Sequence, residues 1–208
     1  MIAELYKATL CSGNRDVFAD LSFTVKPGQR VAVVCGCPGD GTLLLQAFLG
    51  MDRLKSGWVC LDGEPVFPQF AAYFRRSMAF LPRQHGFGVL TPADVARARC
   101  AEKANRGLKY SADEVRRSLE RLEVDGSCID KPFDDMDMAV AQRALMALTF
   151  MCDRPVALVD EPTLWQDSHG RSIVAEYIAS PRFDKSSVVV ATRDDAVLAV
   201  CDRVIELN

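Results

Sequence analysis

The run Pro155-Val156-Ala157-Leu158-Val159 is apolar and leads directly into Asp160-Glu161-Pro162-Thr163. It reads as a buried strand that delivers two adjacent carboxylates at its end. Such a pair can hold Mg²⁺ with one carboxylate and polarise a water with the other. Asp160 is therefore the candidate metal ligand and Glu161 the candidate catalytic residue.

A second segment with chemical potential is Gly36-Cys37-Pro38-Gly39-Asp40-Gly41, between an apolar strand-like run and a helix-like one. Its glycines permit a tight turn whose N–H groups cradle phosphate at a helix N-terminus. The same glycines would be needed for the turn with no ligand at all. The chain holds eight scattered cysteines and two histidines, with no C-x-x-C pair. These read as reduced, mostly buried thiols of a cytosolic protein, not as a metal site. His85 and His169 belong to no constellation and read as surface residues. Trp58 and Trp165 read as packing residues, with a subunit interface as the alternative at Trp165.

The elements that must position these residues follow from hydrophobic period. With 208 residues, 49% hydrophobic, the chain suits one large domain or a core with a small subdomain. Ile2–Leu10 and Leu21–Val25 read as an antiparallel lead-in. Arg30–Cys35, Gly57–Leu61, Met78–Leu81, Val156–Val159, Ser187–Ala191 and Arg203–Leu207 read as further strands, and Leu43–Leu49 as an apolar helix. Asp62-Gly63 is a hairpin turn signal. Ala93–Asn105 and Ala112–Glu123 have helical period, and Ser111 to Glu114 has the spacing of a capping box. The alternation predicts an α/β fold, with a core from 1–83 and 144–208 and a helical subdomain over 84–143. A net charge of −3 gives no reason to expect nucleic acid as a partner. No apolar run approaches a membrane span, and no signal peptide is expected at the N-terminus.

In order and spacing, Leu21-Ser-Phe-Thr-Val-Lys-Pro-Gly28, the 36–41 loop, Ser56-Gly57 through Asp62-Gly63, and Asp160-Glu161-Pro162-Thr163 followed by Asp167 resemble the nucleotide-binding subunit of an ATP-binding cassette (ABC) transporter. The resemblance covers essentially the whole chain. It implies a P-loop core with a central, mostly parallel sheet, an antiparallel β lead-in and a helical subdomain. It also implies ATP and Mg²⁺ as cofactors, a membrane permease and a second nucleotide-binding subunit as partners, and a cytoplasmic location at the inner face of the membrane.

Several positions depart from that pattern. After Gly36, Gly39 and Gly41 the family places a lysine and a hydroxyl residue; here Thr42 and Leu43 stand there. Asp40 sets a negative charge beside the anion nest. Arg83 occupies the place of the glutamine that links the site to the permease. The signature segment reads Met136-Asp137-Met138-Ala139-Val140, so Asp137 replaces the serine that touches a partner's γ-phosphate. Arg193, in Thr192-Arg193-Asp194, replaces the switch histidine. No aromatic stands near Leu10 or Cys11 to stack on adenine. These departures predict a degenerate subunit with weak or absent nucleotide binding and a structural or regulatory role. The alternatives are a divergent, slowly hydrolysing ATPase and a soluble ABC protein without a permease. With lysine and Mg²⁺ charge missing, Arg193 is expected to pair with Glu161 or Asp160, with Arg83 second in line.

Overall fold

The computed structural model describes residues 1–37, 39–84 and 86–207. Pro38, His85 and Asn208 lie outside the described residues, so the surface position expected for His85 is untested.

The chain begins with β1 (Ala3–Ser12) and β2 (Arg15–Val25), a long antiparallel hairpin, then β3 (Arg30–Cys35) and helix α1 (Asp40–Phe48). β4 (Ser56–Leu61) and β5 (Glu64–Pro65) form a second hairpin across Asp62-Gly63, both residues at positive φ. A short helix, α2 (Ala71–Phe74), leads to β6 (Met78–Leu81). Helices α3 (Pro92–Ala101), α4 (Ala112–Glu120) and α5 (Met138–Thr149) follow. The chain then alternates through β7 (Val156–Asp160), α6 (Ser168–Ala179), β8 (Ser187–Ala191), α7 (Asp195–Leu198) and β9 (Arg203–Leu207).

Two sheets result. One is antiparallel, in the order β2-β1-β4-β5, and the other is parallel, in the order β6-β7-β8-β3-β9. Alternate residues of the central strands face two cores. Ala157, Val159, Val188 and Val190 point to the core shared with α3 to α6. Val156, Leu158, Val189 and Ala191 point to the core shared with α1 and the antiparallel sheet. Every residue of β7 and β8 is buried, as expected of strands covered on both faces.

Several boundaries differ from the sequence reading. β2 starts at Arg15, six residues before Leu21, because a bulge with Asp20 at φ +48 interrupts the alternation that marks a strand. α1 begins at Asp40, not Leu43, since Gly39 at φ +91 is its N-cap. α3 stops at Ala101, where Glu102 turns extended. α4 stops at Glu120, and the chain reverses through Glu123 at φ +51, with the Val124 N–H donating to Leu119 O at 3.1 Å. Ser111 accepts from the Glu114 N–H, but the full capping box lies at Thr91 and Asp94.

Arg30 anchors the edge of the parallel sheet opposite the carboxylates. Only 9% exposed, its guanidinium donates to Ile178 O at 2.7 Å and Ser180 O at 2.9 Å, among others, closing the end of α6. Arg30→Ala leaves buried carbonyls without donors and should lower stability by about 3 kcal/mol. Urea unfolding measures this, and a loss below about 1 kcal/mol would show that water replaces the guanidinium freely.

Candidate nucleotide site

The site lies where the parallel strands end. Asp160 of β7 pairs in register with Ala191 of β8, and Ala191 with Val33 of β3. Two residues beyond Val33, Cys35 ends β3 and the glycine loop begins. α1 then packs back against this edge so closely that a Cβ on Gly41 would sit 2.6 Å from Ala191 Cβ. Only glycine allows that approach.

Cys35, Cys37, Gly39, Gly41, Thr42, Asp160, Glu161, Thr192 and Arg193 line one cavity of about 10 Å³. That volume holds roughly one water. Thr42, at the position of the family lysine, donates its hydroxyl to Asp160 Oδ2 at 2.7 Å. Leu43 turns away and packs against the core of α1 and the antiparallel sheet. Asp160 is 1% exposed, and its Oδ1 has no hydrogen-bond partner. Burial raises its pKa above the ordinary aspartate value, with the Thr42 hydroxyl and Arg83 opposing. Glu161 is raised too, first by burial and then by the charge of Asp160, with Arg83 and Arg193 opposing.

The expected pairing of Arg193 with these carboxylates does not form. Its guanidinium is taken up by the backbone at the start of the glycine loop. Nε donates to Cys35 O at 2.8 Å, and the terminal nitrogen donates to both Cys35 O and Gly36 O. Arg83 lies near enough to pull both carboxyl pKa values down, and its own Nε is buried without a partner. Asp40 also differs from expectation. Its charge is not left facing the loop, because Arg15 binds it bidentately at 2.9 and 2.5 Å.

Asp137 and Asp167 do not line the cavity. Asp137 caps α5, accepting from the Ala139 N–H at 2.9 Å, and Asp167 caps α6, accepting from the Gly170 N–H at 2.8 Å. Trp58, 48% exposed, packs on Tyr6 at 5.3 Å on an open sheet face, and Trp165 is also exposed.

Sequence reasoning missed a buried polar network behind Glu161. Gln142 Nε2 donates to Glu161 O at 3.0 Å, Gln166 Nε2 donates to Gln142 Oε1 and Ala139 O at 3.0 Å, and Arg143 donates to Gln166 Oε1 at 2.7 Å. The network holds Glu161 at φ +44, a conformation costly for a residue with a Cβ. The available signal was Gln142, a polar residue inside the apolar stripe of α5. Gln166 sits in a turn and carried none.

A sheet edge with a glycine loop, a helix N-terminus and a strand-end carboxylate pair defines the P-loop class of nucleotide-binding folds. A family model described as ABC transporter matches residues 18–164, and the chain belongs to that family. It is 29% identical over 202 residues to the macrolide export ATP-binding/permease protein MacB of Chromobacterium violaceum, covering 92% of this chain and 30% of that protein. It is 24% identical to the putative HMP/thiamine import ATP-binding protein YkoD of Bacillus subtilis, covering 100% of this chain and 37% of that one. The chain thus spans about a third of the length of these relatives. In fold it is similar to the bacterial ABC transporter cassette MJ0796, solved as a dimer, with TM-score 0.85, 20% identity and coverage of 100% and 94%. No helix among the described residues is long and apolar enough to cross a membrane.

Two predictions follow from the paired carboxylates and Thr42. Because both folded pKa values lie above their ordinary ones, the protonated pair favours the fold, and stability is lost as pH rises through the folded values. Glu161→Gln removes one charge, so its stability relative to wild type should increase between about pH 4 and about pH 7. Urea midpoints at the two pH values test the sign; a difference that shrinks as pH rises contradicts it. Thr42→Val strips Asp160 of its hydrogen-bond donor and should cost about 1–3 kcal/mol at neutral pH. Recovery of that loss in Thr42→Val/Asp160→Asn would confirm that the bond, not the side-chain shape, matters.

Proposed function

We propose that this chain is a degenerate ATP-binding subunit of a membrane transport complex, a pseudo-ATPase with a structural or regulatory role. The observation that carries this reading is at Thr42. The residue in the place of the phosphate-binding lysine carries no charge, and its hydroxyl is directed at the Asp160 carboxylate. Asp160 Oδ1, without a partner, suits a divalent cation. The phosphate side of the cavity suits a triphosphate poorly, because lysine and hydroxyl ligand are both missing. The residues together do not fit a magnesium triphosphate, and no hydrolytic step follows from them.

The partners in this proposal are a permease and a second nucleotide-binding subunit. The relatives support them: MacB carries ATP-binding and permease functions in one protein by its name, and MJ0796 was solved as a dimer. Such a role places the chain at the cytoplasmic face of the membrane. Asp137 at the exposed start of α5 would set a carboxylate against a partner's phosphate, so a site shared with a second copy and one shared with a different subunit are both compromised. A slowly hydrolysing ATPase is the second reading, favoured by the retention of Glu161 and the network that orients its peptide.

Titration with Mg-ATP should show binding weaker than about 1 mM, less than about 4 kcal/mol. Thr42→Lys alone should restore little, because Leu43 and Asp40 remain. A micromolar dissociation constant for the unmodified protein would falsify the pseudo-ATPase reading in favour of the second.

A further inference from the structure

A second cavity, of about 990 Å³, opens at the other end of the parallel sheet. The segments that lead into β7 and β8 meet there the second half of α6 and the turn after α4. Its volume suits a small organic molecule. It shares no lining residue with the glycine-loop cavity.

The floor holds a polar group without a partner. Tyr177 is 7% exposed, and its hydroxyl makes no hydrogen bond among the described residues. Its ring is fixed by an edge contact with Phe183 at 5.8 Å, and Phe183 in turn packs on Phe150 at 5.2 Å. Burial pushes the phenol above its ordinary pKa, with Arg182 and Arg121 opposing, so at neutral pH it is a hydrogen-bond donor. Both arginines line the cavity, which places the hydroxyl on that side of α6. Ile173 and Pro155 add apolar surface.

The charges around the mouth are unevenly committed. Asp153 is held by Arg182, Asp184 by Arg30 and Glu123 by the His169 ring, which leaves Glu176 as the one lining carboxylate without an ion pair among the described residues. Arg121 and Lys185 have no ion pair among the described residues, and Arg154 donates to the neutral amide of Asn105. Three cations thus stand against one carboxylate around a buried donor.

We propose that this cavity is a binding site for a small organic anion, whose carboxylate or sulfonate accepts from the Tyr177 hydroxyl between the cations while its apolar body lies on Ile173 and Pro155. A buried, unpaired donor costs free energy that such a ligand recovers, and ion pairing adds to it. The site is independent of how the glycine loop treats nucleotide.

The test titrates the folded full chain with the aromatic sulfonate 8-anilinonaphthalene-1-sulfonate, read by fluorescence. Saturable binding at one site is expected. Arg121→Met with Lys185→Met, both exposed and outside any ion pair among the described residues, should weaken it about tenfold. Tyr177→Phe keeps the ring contacts and should weaken it about fivefold. Phe70→Ser, on an exposed apolar surface elsewhere, should leave it unchanged. No saturable binding up to about 1 mM, or binding lost in Phe70→Ser and kept in the arginine–lysine variant, overturns the site. Unchanged affinity in Tyr177→Phe overturns the role of its hydroxyl; should that variant not fold, the arginine–lysine variant still decides.

Discussion

The parallel pairing of β3, β8 and β7 sets Val33, Ala191 and Asp160 in one row, and the rest of the site hangs from that row. The glycine loop leaves β3 just beyond it, and Gly41 brings α1 down onto Ala191 at a distance no other residue permits. Thr42, the next residue, then lies within hydrogen-bonding reach of Asp160. Wherever the chain carries a nucleotide-binding residue or its replacement, this packing determines what that residue can touch.

Within that frame the electrostatics are those of a site with its cations moved aside. At the end of β7 the buried Asp160 is followed by the half-buried Glu161, and desolvation raises the pKa of both. Arg193 is drawn to two backbone carbonyls and Arg15 to Asp40, so neither forms an ion pair with these carboxylates, although the Arg193 charge still lowers the Glu161 pKa. Arg83 moderates the pair through its charge and through a backbone hydrogen bond to Asp160. The Thr42 hydroxyl, the Arg83 backbone and the charges of Arg83 and Arg193 supply part of the compensation.

The network of Gln142, Gln166 and Arg143 gives the arrangement rigidity of another kind. It joins the first turn of α5 to the peptide of Glu161 through the buried side chains of Gln142 and Gln166. Buried amides are tolerated only when their donors and acceptors are satisfied, and this network satisfies them by bridging two segments. The network thus links the start of α5, just after Asp137, to the turn that follows β7.

Much of this was legible in the chain itself. Arg30–Cys35, Met78–Leu81 and Ser187–Ala191 are strands at the bounds that their apolar runs predict, because strands covered on both faces are nearly continuously apolar; the edge strand Arg203–Leu207 also forms at its expected bounds. The Asp62-Gly63 turn and the carboxylates ending β7 were equally plain, since local chemistry determines both. The start of β2 was not, because a bulge breaks the period that reveals a strand. Side-chain partnerships across the fold were hidden altogether. Arg15 and Asp40 are 25 residues apart, and Gln142 and Gln166 are 24 apart. The sequence placed Arg193 beside the glycine loop and the carboxylates, but only the tertiary structure decided between them. Sequence by itself determined which elements form and which groups reach the sheet edge. Which cation meets which anion depended on three-dimensional distance, where two nearby carbonyls outcompeted a carboxylate and a hairpin tip reached a buried aspartate.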